Sequence, residues 1–274
     1  MSVALESSLA ISGTDASRLK TVEWCLRIGA AACFIGHGAF GILTKEAWLS
    51  YFSVVGIDRE LAYVLMPIVG SIDIAAAMLV LLSPRPAVLL YMTIWATWTA
   101  LLRPLAGETF FEALERAGNY GVPFALLWMY AIPTSLREVF APVRARRVVN
   151  RLTVGRILLG TTAVLLFAHG ALQAIARTPV FATHYAAIDV PMSIAPVVGM
   201  IEMGVALLVL VAPFPALLVA IALWKVATES LFPIAGTPIW ELIERGGSYA
   251  APLALVLLFG TTPFTRINLS RSVQ

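Results

Sequence analysis

Apolar residues along the chain gather into eight runs, each close to the roughly twenty residues that carry a helix across a bilayer core. They cover residues 24–43, 61–82, 87–102 and 120–136, and then 154–176, 192–211, 216–232 and 249–262. Runs of this length with so few charges predict membrane-spanning helices. Two further stretches, 108–117 and 238–246, are helix-like but too charged to span. They read as amphipathic helices lying at the outer interface, with Phe110, Phe111 and Leu114, or Ile239, Trp240 and Ile243, against lipid or protein. The glycines after them would close those helices, and Pro123 and Pro252 fall in the first turns of the next ones.

The pattern repeats. PLAGETFFEALERAGNYGVP at 104–123 and PIAGTPIWELIERGGSYAAP at 233–252 share nine of twenty positions, including Glu112/Glu241, Glu115/Glu244, Arg116/Arg245 and Tyr120/Tyr249. GHGAF at 36–40 aligns with AHGAL at 168–172, and PIVGSIDIAAAMLVLL at 67–82 with PVVGMIEMGVALLVLV at 196–211. The offset is 132 residues at His37/His169 and 129 from Pro67/Pro196 onward, so the first interhelical loop is three residues shorter in the second copy. Self-similarity at a fixed offset means that each copy builds the same unit. The expected division is a polar tail at 1–21, a first four-helix repeat at 22–140 and a basic linker at 141–152. A second repeat at 153–264 and a tail at 265–274 complete it.

Four helices return the chain to the side where it started, so the copies form a parallel repeat about an axis along the membrane normal. The expected architecture is an all-α integral membrane protein: eight transmembrane helices arranged as two pseudo-symmetric four-helix bundles, each with its outer interfacial helix. Placing both termini, the 83–86 turn and the linker on one side gathers Arg18, Lys20, Arg27, Arg85, Arg137, Arg144, Arg146, Arg147, Arg151, Arg156, Arg266 and Arg271 there. By the positive-inside rule that side is cytoplasmic. The opposite loops hold nine acids, among them Asp58, Glu60 and Asp189.

Composition agrees with this reading: 59% of residues are hydrophobic and 13% charged, well below the quarter or so usual in soluble chains, and the mean hydropathy is +0.87. The lipid bilayer is the first partner, and the expected location is the inner (plasma) membrane, multi-pass, with both termini cytoplasmic. A net charge of +3 excludes no membrane role and argues for no nucleic acid. Cys25 and Cys33 lie eight residues apart without a CxxC, so neither a disulfide framework nor a metal site is expected. The first twenty residues lack the basic start and apolar core of a signal peptide.

Candidate chemistry lies where polar residues interrupt the runs. His37 and His169 occupy equivalent depths, each followed by a glycine. Facing each other across the axis they would supply the two axial ligands of a haem b; the plainer readings are a ligand or proton site, or a histidine bonded to a neighbouring helix. Asp73 and Glu202 are equivalent acids in the second helices, where an unpaired ionised group costs about 3 kcal/mol or more. The second copy adds Lys225 and Glu229, four residues apart, where the first has Ala96 and Ala100. That asymmetry suggests one copy with a polar interior site and one scaffold copy, or an internally neutralised pair that fixes helix register. Trp95 and Trp224 also match, and would cap a flat ring or fill core. In each copy Glu112, Arg116 and Tyr120, or Glu241, Arg245 and Tyr249, form a cluster suited either to a quinone or anionic head group or to clamping the outer helix down.

A basic residue opening the first helix (Arg27, Arg156), small residues close to it (Gly38 and Gly41; Gly170) and an acid in a glycine-containing second helix (Gly70 with Asp73; Gly199, Glu202 and Gly204) resemble the DoxX-type four-helix membrane proteins. The resemblance covers nearly the whole chain, residues 22–264. It implies a four-helix bundle per copy, and the family includes the membrane subunit of thiosulfate:quinone oxidoreductase. The resemblance therefore implies a protein acting in, or anchoring, quinone-linked membrane redox chemistry, with quinone as cofactor and a soluble or periplasmic redox partner. The chain departs from the family in being doubled, in lacking the lysine often seen after the first-helix glycines, and in having no redox cysteine pair. Two other classes stay open: a proton-coupled small-solute transporter using Asp73, Glu202, Lys225 and Glu229, and a structural or accessory subunit of a membrane complex.

Overall fold

The computed structural model describes residues 13–130, 133, 135–143 and 151–260. Arg144, Arg146, Arg147, Arg266 and Arg271, most of the 141–152 linker and most of the two tails lie outside the described residues. Within them the chain is helical, with no strand. The helices are α1 (Gly13–Ile42), α2 (Leu49–Val54), α3 (Arg59–Leu82), α4 (Pro86–Leu105), α5 (Phe110–Glu115), α6 (Ala117–Met129) and α7 (Leu136–Phe140). After the linker come α8 (Arg151–Ala174), α9 (Val180–Ala186), α10 (Ala195–Val211), α11 (Pro215–Glu229), α12 (Leu231–Ile234), α13 (Trp240–Glu244) and α14 (Gly246–Phe259).

Six helices are long and apolar enough to cross a membrane: α1, α3, α4, α8, the run Met192–Val211 that contains α10, and Pro215–Ile234 spanning α11 and α12. Helices α6 and α14 fall short, with 13 and 14 residues, or about 20 Å of rise at 1.5 Å per residue. Local chemistry sets several boundaries. The Asp58 carboxylate accepts from the Leu61 amide at the start of α3, the Thr109 hydroxyl accepts from the Phe111 amide at the start of α5, and Pro86 and Pro215 stand in the first turns of α4 and α11.

The spanning helices are apolar on both faces. On α3 the inward stripe is Ala62, Met66, Gly70, Asp73, Ala76, Ala77 and Val80, while Val64, Ile68, Ile72 and Leu82 are exposed on the other side. Exposed apolar rows of this kind on α3, α4, α10 and α11 have no favourable place in water, and they mark the surface that meets lipid. One core cluster runs through α1, α3, α4, α6, α8, α10, α11 and α14.

Packing crosses the halves of the chain. Helix α1 packs on α3 and α8 on α10, but α14 lies against α1 and α6 against α8, and the short helices follow, α13 on α1 and α5 on α8. Helices α6 and α14 also touch each other. A methyl group built on Gly247 would come within 2.2 Å of the Gly118 carbonyl oxygen, so only glycine permits this backbone contact. At the opposite end, Arg27 donates through Nε to the Val80 carbonyl at 2.8 Å and Tyr130 donates to Glu23 at 2.8 Å, which ties α1 to the ends of α3 and α6.

Candidate functional site

Each first-helix histidine is held by the acid of the neighbouring helix. His37 Nδ1 lies 2.8 Å from Asp73 Oδ2, and Tyr91 on α4 donates to Asp73 Oδ1 at 3.1 Å. Asp73 is fully buried, so these two partners are what allow a carboxylate at that depth. His169 Nδ1 lies 2.8 Å from Glu202 Oε2. Glu202 also accepts from Gln173 at 2.9 Å and from the Trp224 indole, and Tyr185 on α9 donates to Gln173 at 2.8 Å.

The surroundings of the two pairs differ. His37 lines a cavity of about 260 Å³, stacked on Trp48 with ring centroids 4.5 Å apart, and Tyr51, Phe52, Trp95 and Trp98 supply further aromatic wall. The polar lining is Arg103, Arg116, Asn119 and, from α13, Glu244. Trp98 and Val55, both exposed, stand at its rim, where α3 and α4 pack only sparsely on each other. His169 is absent from this lining and sits buried against Phe181. The structure thus brings each histidine to its own acid and not to a shared cavity, which leaves the two-imidazole haem without a site. Among the described residues no group of three or more His, Cys, Asp or Glu is placed to hold a metal ion.

Between the two histidine sites lies a buried ion network. Lys225 pairs with Glu229 and reaches Glu115 at 3.8 Å; Arg245 Nε lies 2.7 Å from Glu229 and 4.0 Å from Glu115. Arg245 Nη1 holds Glu241 at 2.9 Å and Glu244 at 3.2 Å, and Glu241 continues to Lys45. The first-copy arginine, Arg116, holds Glu112 at 2.9 Å and Glu115 at 3.3 Å, while Arg103 pairs with Glu108 at 3.1 Å. Burial raises Glu115 and Glu241, but the adjoining arginines outweigh it and hold both at about 2.

The expected site residues fall into separate settings. The charged faces of α5 and α13 turn into the protein, leaving Phe110 and Ile239 exposed. Tyr120 and Tyr249 donate to carbonyls of their own short helices, at Ala113 (3.4 Å) and Leu242 (3.0 Å), which is what a clamp does. Glu202 meets His169, Gln173 and Trp224, and Lys225 is held instead by Glu229 and Glu115. Trp95 lines the cavity, whereas Trp224 serves as a donor to Glu202. Sequence reasoning missed Trp48, Tyr51 and Asn119 around the cavity, Tyr91 behind Asp73, and Gln173, His184 and Tyr185 around the second pair. Their one legible signal was aromatic and amide residues in otherwise aliphatic surroundings.

Compared with known proteins, the chain matches no family model, no curated protein and no solved structure.

Proposed function

We propose that this chain is a multi-pass inner-membrane protein that takes a small, membrane-soluble solute into the cavity beside His37 and couples its occupancy to the proton shared by His37 and Asp73. The observation that carries this reading is the pair itself. It is an imidazole, bonded at 2.8 Å to a fully buried carboxylate, in the wall of an aromatic cavity whose rim residues are exposed among lipid-facing helices. A ligand placed against that imidazole acts directly on the bond it shares with the carboxylate.

The proposal takes the chain across the membrane eight times. Helices α6 and α14 cover about 20 Å each, and the recessed α5 and α13 make up the remaining depth of a core about 30 Å thick. The chain is then two parallel four-helix copies with the linker and both termini cytoplasmic, in the manner of a doubled DoxX-like protein. The cavity opens toward the outer half of the bilayer.

A second reading is quinone-linked redox chemistry, favoured by Trp48, Trp95, His37 and Asn119 around one flat space. In that reading the chain is a quinone-binding or anchoring subunit. A quinone held there between Trp48 and Trp95, with His37 and Asn119 as its polar partners, would supply two-electron, two-proton chemistry to a separate soluble redox protein.

Tryptophan fluorescence of the purified protein in nanodiscs, titrated with 2-phenylethanol and with duroquinone, tests both. Saturable binding that is lost in Ala96→Leu, which fills the cavity, supports the solute reading; saturation by duroquinone alone moves the assignment to quinone. Titrations identical in the parent and in Ala96→Leu sink both.

A further inference from the structure

The chain contains its own comparison for this cavity. The offset of 129 residues that pairs Trp95 with Trp224 pairs Ala96 with Lys225, Ala100 with Glu229, and Glu115 with Glu244. In the second copy the Lys225 ammonium, with no exposure at all, lies 3.8 Å from Glu115, a residue of the first copy. The reciprocal acid is Glu244, a residue of the second copy, and it lines the first-copy cavity together with Ala96. Where one site places a lysine stem and ammonium against the carboxylate from the other copy, the other site has a methyl group and open space.

Charge points the same way. Among the described residues the ion network holds six carboxylates, Glu108, Glu112, Glu115, Glu229, Glu241 and Glu244, against the five cations Lys45, Arg103, Arg116, Lys225 and Arg245. One negative charge is in excess. Two of the cations, Arg103 and Arg116, also line the cavity, yet each is engaged: Arg103 with Tyr51 and Glu108, Arg116 with Glu112 and Glu115. Asp73 stands behind His37 and is held by it and by Tyr91. Glu115 has three cationic partners, Arg116, Lys225 and Arg245, whereas Glu244 is ion-paired with Arg245 at 3.2 Å and has the Arg116 charge nearby. Glu244 is also 6% exposed, so its charge is poorly served by water.

We infer that the cavity takes a small organic cation, an ammonium group on an aromatic or short alkyl body, with the ammonium between Ala96 and Glu244 where the second copy carries its lysine. The body lies against Trp48, Phe52, Trp95 and Trp98, whose ring faces attract a positive charge as well as apolar carbon. The 260 Å³ of space exceeds a lysine stem and suits a ring-bearing amine. This inference rests on the cavity being a ligand site and adds the class of ligand.

The test compares 2-phenylethylammonium with its neutral isostere 2-phenylethanol, by calorimetry on the protein in nanodiscs at neutral pH. The parent is expected to bind the amine about tenfold more tightly than the alcohol, as one charged hydrogen bond provides. In Glu244→Gln that preference collapses to about twofold or less while the alcohol still binds, since the apolar wall is intact. Ala96→Lys, which introduces the lysine of the second copy, loses both ligands. Equal affinities in the parent overturn the cation and leave the cavity reading standing; failure of both ligands overturns both. An undiminished preference in Glu244→Gln also overturns it, and should that variant not fold, the parent comparison and Ala96→Lys decide.

Discussion

Lys225 Nζ lies 3.8 Å from Glu115 Oε1, joining α11 to the short helix α5 of the other half of the chain. Lys225 has no exposed surface, so the pair, with Glu229 alongside, is a device for holding two halves in register at a depth where neither charge has water. Lys225→Met leaves Glu229 and Glu115 short of a cation and is expected to cost about 3 to 5 kcal/mol, whereas Lys225→Met with Glu229→Gln costs clearly less. Reversible denaturation in one detergent, read as a double-mutant cycle, checks this; additive losses would remove the coupling.

The two histidine sites should part in function. Asp73→Asn is expected to weaken ligand binding in the cavity with a modest change in melting temperature, because it releases His37 beside the ligand. Glu202→Gln should do the reverse. It disturbs bonds to His169, Gln173 and Trp224 in a packed interior, and its effect of about 1 to 3 kcal/mol falls on stability. Measuring binding and melting on the same preparations distinguishes the two; a larger binding loss in Glu202→Gln would reverse the assignment.

His184 supplies a pH dependence with a definite sign. Burial, against Phe181 and Phe232, pushes its imidazole from the ordinary 6.5 down to about 4, because the fold accommodates the neutral ring. Its folded value lies below its unfolded one, so its contribution is complete above about pH 6.5 and declines as pH falls toward 4. Glu115 and Glu241, held at about 2, contribute fully above their ordinary 4.5 and weaken only below it. Melting curves at pH 7.5 and 5 should show a smaller drop for His184→Phe than for the parent; equal drops would contradict the burial account.

Gly118 and Gly247 leave no room for a side chain, since a methyl on Gly118 would lie 2.6 Å from the Gly247 carbonyl carbon. Gly118→Ala is expected to destabilise by about 1 to 3 kcal/mol through overpacking. Gly160→Ala, with nothing within 4 Å of the added carbon, should be near neutral. Monodispersity and melting temperature of the two variants give the comparison, and equal behaviour would discount the contact.

Topology is testable without purified protein. The proposed topology assigns twelve of the 19 basic residues to the side of the linker and termini, so reporter fusions at the 83–86 turn and the linker should both report cytoplasm. An external linker would invert the proposed orientation of the cavity.

How much of this was legible in the chain follows from what sequence encodes directly. Length and hydropathy marked the six long spans, because lipid demands apolar side chains on every face. The Ala96/Lys225 difference was also visible, but its meaning was not. Read as letters, a lysine and a glutamate added to one copy look like the working site; in three dimensions they pair with each other inside a buried ion network, and the alanine leaves the cavity. His37 and Asp73 were each conspicuous, yet their bond depends on the rotation of α1 against α3, which no periodicity specifies. The inward turn of α5 and α13 was hidden for a similar reason. Their partners, α8 and α1, belong to the opposite half, more than thirty residues away in either case.

The exchange of partners between halves, α14 on α1 and α6 on α8, bears on ancestry. If the two halves are copies of one unit, as proposed, a chain holding a single copy would leave its first helix bare where α14 now lies, and a homodimer with two identical sites would be its expected form. Joining the copies in one chain would end that identity, leaving one site free to carry a built-in ammonium while the other keeps its space. Halves divided within residues 144–150 and produced together should reassemble, and either half produced alone should not persist in the membrane.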